Sequence, residues 1–203
     1  MTNVLIINSS LNSNHGNSNK LTQTFAQQLG RGDNLEVNAL DLSAIELPHL
    51  SSEEMQAWMT PASERSKEQK LLAALSDGFI EQVKAADIIV VGMPMYNFGV
   101  PSVFKAWIDR IARAGITFKY TPDGPIGLLD NKKVFVLAAR GGMYQGTVKD
   151  SQTQYLKDVF QFIGIEQLEF VYAEGLAMGE ASYDNAFLSA NEKIIELIDS
   201  IAA

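Results

Sequence analysis

Asp87-Ile88-Ile89-Val90-Val91-Gly92 is a short β-branched run in which apolar residues do not alternate with polar ones. A strand of that kind is buried on both faces, and such strands belong to parallel sheets with helices packed above and below. Met93-Pro94-Met95-Tyr96-Asn97-Phe98-Gly99-Val100-Pro101 follows, and its two prolines and glycine are expected to end the strand and delay the next helix. The chain then loops at the carboxyl end of a buried strand, where open α/β sheets bind ligands. This loop has two aromatics, an amide and no charge, which suits a flat, uncharged, hydrogen-bonding ring. Tyr96 and Phe98 would lie against the ring while Asn97 and backbone N–H groups address its edge. Taken alone, the same two aromatics could equally cap an ordinary core.

Strand and helix patterns alternate along the rest of the chain. Asn3 to Ser9 forms a first apolar strand, and Ser10 to Asn19 is almost all small and polar before the helical stripe Leu21, Phe25 and Leu29, with Gly30 and Gly32 near its end. A hydroxyl-rich loop running into a helix N-terminus binds phosphate, because the first helical N–H groups are unpaired and Ser and Asn add neutral donors. Neither GxGxxG nor the GxxxxGK loop followed by Ser or Thr occurs, and no lysine is placed to cup a γ-phosphate. A monoester phosphate such as that of FMN needs fewer donors and fits better. Ser18 could alternatively be a simple helix cap, and His15 reads as a solvated loop residue.

Leu35 to Leu40 reads as a second strand. Residues 43–66 break the rhythm at Pro48, His49 and Pro61, while Ser51-Ser52-Glu53-Glu54 looks like a helix start leading to Met55, Trp58 and Met59. Trp58 and Met59 are expected to pack down or to belong to a pocket or partner contact. His49 has no second histidine at metal spacing. Leu71, Leu72, Leu75, Phe79 and Val83 trace one helical face before the Asp87 strand, completing a βαβ crossover. Pro101 suits a first helical turn, with Val103, Phe104, Trp107, Ile108 and Ile111 as its stripe. In the long loop 112–131, Ile116 to Tyr120 alternates and is expected to form a hairpin arm.

Lys133 to Ala139 gives a fourth strand, ending at Arg140-Gly141-Gly142, where paired glycines let backbone N–H groups approach a ligand. Arg140 is either a partner for a carbonyl or phosphate oxygen or a surface residue flanking a helix. The next helix, Ser151 to Ile163, carries Tyr155, Leu156, Val159, Phe160 and Ile163 on one face, leaving Phe162 off it as an exposed aromatic. Ile165 to Tyr172 supplies a fifth strand, and Ile194, Ile195, Ile198 and Ile201 mark a closing helix.

With 203 residues and no linker or repeat, a single domain over 1–203 is expected. The absence of cysteine excludes thiol catalysis, disulfides and iron–sulfur ligation, so any redox chemistry must come from a bound cofactor. A net charge of −8 without a Lys/Arg cluster argues against nucleic-acid or anionic-membrane partners. The N-terminus enters a strand directly, with no basic leader and no membrane-length apolar run, which gives the expectation of a soluble, cytoplasmic protein.

Alternating βαβ elements with right-handed crossovers, and polar or glycine turns after the first, third and fourth strands, predict a flavodoxin-like α/β fold. Its five-stranded, doubly wound parallel sheet has the order 2-1-3-4-5, with helices on both faces and a crevice at the β1/β3 switch point. The three turns then converge on one edge. At this point Asn3 to Ser10, Met93 to Phe98, Ala112 to Tyr120 and Arg140 to Gly142 resemble the FMN-dependent NADH:azoreductase family nearly end to end, including Phe162 to Ile165 and Ala173 to Gly175.

That resemblance implies a homodimer with two FMN sites at the subunit interface. It also implies a ping-pong reaction in which NADH or NADPH donates two electrons and quinones or aromatic azo compounds receive them. Ser10, Gly16, Asn17 and Ser18 would hold the phosphate, Met95, Tyr96, Asn97 and Phe98 the isoalloxazine, and Ala139, Arg140, Gly141 and Gly142 its polar edge. Tyr120 and Phe162 would wall the substrate slot, from the neighbouring subunit. Ala139 stands where the family often has serine and cannot offer that side-chain hydrogen bond, while backbone contacts need not change. No side chain is assigned as an essential acid or base, and no metal is implied. A flavodoxin-type one-electron carrier is the rival reading. A hydrolase, suggested by the acyl-carrier-protein phosphodiesterase label some relatives have carried, has no GxSxG elbow, cysteine or metal cluster behind it.

Overall fold

The run that reads as a strand buried on both faces is one, since every residue from Ile88 to Pro94 is buried. The computed structural model describes residues 1–30 and 35–202, so Gly32, expected near a helix end, lies outside the described residues. In chain order the elements are β1 (Thr2–Asn8), α1 (Asn17–Leu29), β2 (Leu35–Asp41), α2 (Ser52–Met59), α3 (Lys67–Ala85) and β3 (Ile88–Pro94). There follow α4 (Ser102–Ile111), β4 (Phe118–Thr121), β5 (Gly124–Gly127), β6 (Lys133–Ala139), α5 (Ser151–Phe162), β7 (Gln167–Ala173) and α6 (Glu180–Ala202). Five strands pair in parallel in the order β2-β1-β3-β6-β7, which is the expected 2-1-3-4-5 once the hairpin strands are set aside.

Successive strand residues face opposite sides, so the apolar runs feed two cores. Leu5, Ile7, Ile89, Val91, Val134 and Val136 pack on one face with Phe79, Phe104, Trp107 and Phe160. Val4, Ile6, Val90, Phe135 and Leu137 pack on the other with Leu21, Phe25, Ile194 and Leu197. Each fully buried large apolar side chain of this kind contributes roughly 1.5–3 kcal/mol, and that shared burial fixes the layer order.

Several expectations are corrected. Pro94 does not end β3 from outside but is its last residue, opposite Ala139 of β6. The ladder to β1 stops at Gly92, and the next donor, Met95 N–H, reaches Ala139 O at 3.1 Å, so the proline removes no hydrogen bond the sheet needs. On α3 the inward face is Ala73, Ser76, Phe79, Ile80 and Val83, whereas Leu71 is 70% exposed and Leu72 and Leu75 also face out. Small residues win the inner positions because α4 comes close there, with Ser76 Oγ donating to Arg110 O at 2.6 Å. Pro101 is the residue before α4 and not within its first turn. On α6, Leu197 is buried where Ile195 is exposed.

The arm expected at 116–120 forms from Phe118, where β4 and β5 pair antiparallel. A Cβ on Gly127 would lie 2.0 Å from Gly164 N, and that close approach lets Leu128 and Leu129 N–H donate to Ile163 O at 3.1 and 2.9 Å. The arm is thereby laid on the end of α5. Phe162 is therefore not a free aromatic but half-buried against Phe118, ring centroids 4.2 Å apart. In the excursion, Trp58 packs beneath the Arg113 guanidinium, 5.4 Å from its ring centroid, while Met59 stays exposed.

Candidate functional site

The carboxyl ends of β1, β3, β6 and β7 open onto one edge of the sheet, and the loops leaving them close around a cavity of about 190 Å³. Ser10, Asn17 and Ser18 line it from the first loop, Met95 and Tyr96 from the third strand's turn, and Ala139, Arg140 and Gly141 from the fourth. These are eight of the predicted residues, drawn from three distant segments. Met95 and Tyr96 also border a larger, open cleft of about 1020 Å³ that Asn97, Phe98 and Gly99 line further out.

The first loop is shaped by a steric requirement at Gly16. A Cβ there would fall 2.2 Å from Ser10 Oγ, so only glycine lets the loop close and places α1 directly behind Ser10. Helix α1 starts at Asn17 with no side-chain cap and no acidic residue in its first turn. Ser18, a possible cap by sequence, is instead inside the helix. By contrast Ser51, Ser66 and Asp150 cap α2, α3 and α5. Among the described residues no acceptor is set against the amides of Asn17, Ser18 and Asn19, so the positive end of this helix faces the cavity with its donors open. A phosphate monoester fits that arrangement, since the neutral donors and helix end it needs are present without a competing carboxylate.

The third strand's turn is tight and strained. Tyr96 N–H donates to Gly99 O at 3.2 Å and Gly99 N–H to Tyr96 O at 2.9 Å, with Asn97 at φ 49° and Phe98 at φ 65°. Two positive φ values define a type I′ turn, and holding a phenylalanine there costs about 1–3 kcal/mol that the surroundings must offset. Phe98 is 49% exposed, its ring edge-on to Tyr144 at 5.5 Å. The Tyr96 hydroxyl reaches back to the first loop, 3.3 Å from Ser10 Oγ and 3.2 Å from Leu11 N, so the two loops are pinned to each other. The isoalloxazine fits the uncharged surface that Met95 to Phe98 present.

Arg140 is sealed from solvent, and every nitrogen of its guanidinium donates within the protein. It donates to Asp150 Oδ1 at 2.9 Å, Glu174 Oε1 at 3.0 Å, Thr153 Oγ1 at 2.9 Å and Gln152 Oε1 at 3.3 Å, and lies 4.9 Å from the Tyr172 ring centroid. Neither sequence reading of its side chain, ligand partner or surface residue, survives; its backbone N–H is also spent, on Ala173 O at 2.9 Å, so what this turn can offer a ligand is the backbone N–H of Gly141 and Gly142. Burial would raise the Asp150 carboxyl, but hydrogen bonds from Arg140 and Thr153 outweigh it and hold the group below its ordinary value. Tyr155, bordering the larger cleft, is pushed up to about 12 by burial and by Asp109, and so stays protonated at neutral pH.

Gly142 lines neither space; its carbonyl accepts from Gly175 N at 3.0 Å. Tyr120 and Phe162 also line neither, and Tyr120 is 73% exposed. The sequence missed Asn12, Leu176 and Ala177 in the small cavity and Ser151 and Gln152 in the larger one. Leu176 and Ala177 follow β7, and only their position after a sheet strand's carboxyl end could have flagged them.

Comparisons with known proteins agree with this fold and with a flavin cofactor. A family model described as flavodoxin-like fold matches residues 2–198. The chain is 57% identical over 197 residues to the FMN-dependent NADH:quinone oxidoreductase of Alteromonas mediterranea, covering 97% of this chain and 98% of that protein. It is 49% identical over 198 residues to the FMN-dependent NADH:quinone oxidoreductase of Pseudoalteromonas atlantica, covering 98% of each. An FMN-dependent NADH-azoreductase from Bacillus anthracis, solved in complex with FMN, superposes with a TM-score of 0.89 at 27% identity, covering 100% of both chains. The chain belongs to the flavodoxin-like fold family, among relatives named FMN-dependent NADH:quinone oxidoreductase and azoreductase.

Proposed function

We propose that this chain is an FMN-dependent NADH:quinone oxidoreductase that also cleaves aromatic azo bonds. The observation that carries this reading is the convergence of the uncapped α1 N-terminus and the uncharged Met95–Phe98 turn on one sheet edge. The relatives' names supply the same activities.

Ser10, Asn17 and Ser18 hold the FMN phosphate through hydroxyl, amide and helix N–H donors, with Gly16 allowing Ser10 its place. Met95, Tyr96, Asn97 and Phe98 seat the isoalloxazine. Ala139, Arg140, Gly141 and Gly142 form the backbone along its polar edge, where the N–H groups of Gly141 and Gly142, not spent on the sheet as that of Arg140 is, favour the negative charge that reduction brings. When bound, FMN supplies two-electron chemistry, accepting from NADH or NADPH and giving to a quinone or azo acceptor in ping-pong order. The protein orients the reactants and excludes water, and no side chain acts as an essential acid or base.

The whole chain serves as one FMN-binding unit in the cytoplasm, and two copies form a homodimer with the sites at their interface. The exposure of Tyr120, which lines neither cleft of its own chain, supports a role in walling the partner's substrate slot, with Phe162 behind Phe118 in the same aromatic group.

The test is anaerobic stopped-flow mixing of the FMN-reconstituted protein with NADH, then with a benzoquinone or methyl red. Rapid two-electron bleaching followed by reoxidation with either acceptor is expected. FMN binding without oxidation of NADH or NADPH would overturn the reductase in favour of an electron carrier.

A further inference from the structure

Gln152, at the start of α5, is 1% exposed and lies between the buried guanidinium and the strained turn. Arginine can only donate, so Arg140 Nε must face the amide oxygen, 3.3 Å away, and this fixes which way the amide points. The amide nitrogen consequently donates to Pro94 O at 2.9 Å and Gly99 O at 3.0 Å, the carbonyls on either side of the turn. The neighbouring Ser151 Oγ donates to Phe98 O at 2.6 Å, inside it. Three carbonyls of the segment 94–99 are therefore gripped by two adjacent side chains, and the grip is backed by Asp150, Glu174 and Thr153 through Arg140.

Such a network is what a turn with a phenylalanine at positive φ requires, because strained backbone persists only where its surroundings over-determine it. The turn's own hydrogen bonds, between Tyr96 and Gly99, close it but do not set its angle to the sheet. Gln152 spans from β3's last residue to the turn's end and ties one to the other.

We propose that Gln152 is a positioning residue, and Ser151 its accessory, which orients the Met95–Phe98 surface toward the flavin ring and so tunes flavin affinity and spectrum without touching the flavin. This rests on the FMN reading above. A polar but uncharged amide suits such a position because it accepts from Arg140 and donates to two carbonyls at once, which neither a carboxylate nor an apolar side chain does.

The test compares wild type, Gln152→Met and Ser151→Ala as apoproteins titrated with FMN, followed by flavin fluorescence and visible circular dichroism. Wild-type binding is the control: if it fails, the cofactor reading falls and not this one. Gln152→Met is expected to weaken FMN binding about tenfold or more and to alter the visible dichroism of the bound flavin, and Ser151→Ala to do the same to a smaller degree, about threefold. A Gln152→Met protein that melts earlier yet binds FMN with wild-type affinity and dichroism would make the network purely structural and overturn the proposal. If Gln152→Met does not fold, Ser151→Ala decides, because it removes only an exposed hydroxyl, and an unchanged dissociation constant and spectrum there would overturn the grip on the turn.

Discussion

Arg110 and Arg140 are both sealed from solvent and both held by carboxylates, yet they serve different ends. Arg110, near the C-terminal end of α4, makes a forked pair with Glu54, Nε and Nη2 each 2.8 Å from a carboxylate oxygen, and its third contact is to Ala106 O of its own helix. The pair fastens α2 to α4 and goes no further. Arg140 spreads over four side chains, and three of them continue outward: Glu174 accepts from Tyr144 and Gln145 N–H, Gln152 grips Pro94 and Gly99, and Thr153 Oγ1 lies 3.0 Å from the Tyr172 hydroxyl. The partners beyond the ion pair distinguish a device that holds the fold from one that holds a site.

The largest expected effect is at Arg110. Glu54→Ala leaves a buried guanidinium without its carboxylate and should cost about 3–5 kcal/mol in urea unfolding, with FMN affinity unchanged. Flavin binding that weakens with it would break the contrast between the two arginines. Gly16→Ala comes next. A methyl 2.2 Å from Ser10 Oγ forces the loop apart, so about 1–3 kcal/mol of stability should go, and here FMN binding should weaken as well, measured by fluorescence titration. Tyr96→Phe removes the link between the first and third loops and should cost about 1 kcal/mol, roughly fivefold in the FMN dissociation constant, with little change in melting temperature.

The smallest effect is a shift in the acid limb of stability. Asp150 and Asp77 are both held below the ordinary carboxylate value, in each case against burial, by arginine partners: Arg140 for Asp150, and Arg113 and Arg65 for Asp77. A depressed folded value means that the contribution is fully present above the unfolded pKa, about 3.9, and is lost as pH falls through the folded value. Urea unfolding followed from pH 5 downward should show Asp150→Asn and Asp77→Asn flattening that limb, while stability at neutral pH falls.

The sheet was legible because its strands are β-branched runs whose burial on two faces leaves no alternative layer order. Ser10, Ser18, Met95 and Tyr96 were legible because the switch-point rule places loops after such strands at a ligand edge. Arg140 was not: sequence shows a charge beside two glycines, and only the folded chain shows Asp150, Thr153 and Glu174 already waiting for it. Leu71, Leu72 and Leu75 misled because a helical stripe of leucines reads as the inner face, while close helix packing selected Ala73 and Ser76. Gln152 carries no motif at all; its meaning lies in contacts with Pro94 and Gly99, more than fifty residues away.

The most direct measurement is amide chemical-shift mapping of the apoprotein on addition of FMN. The largest changes are expected on Asn17, Ser18, Met95 to Gly99, Gly141 and Gly142, with α2 and the Arg110 end of α4 unmoved. Changes centred on α2 and α3, with the sheet's carboxyl edge undisturbed, would contradict a flavin site built at that edge.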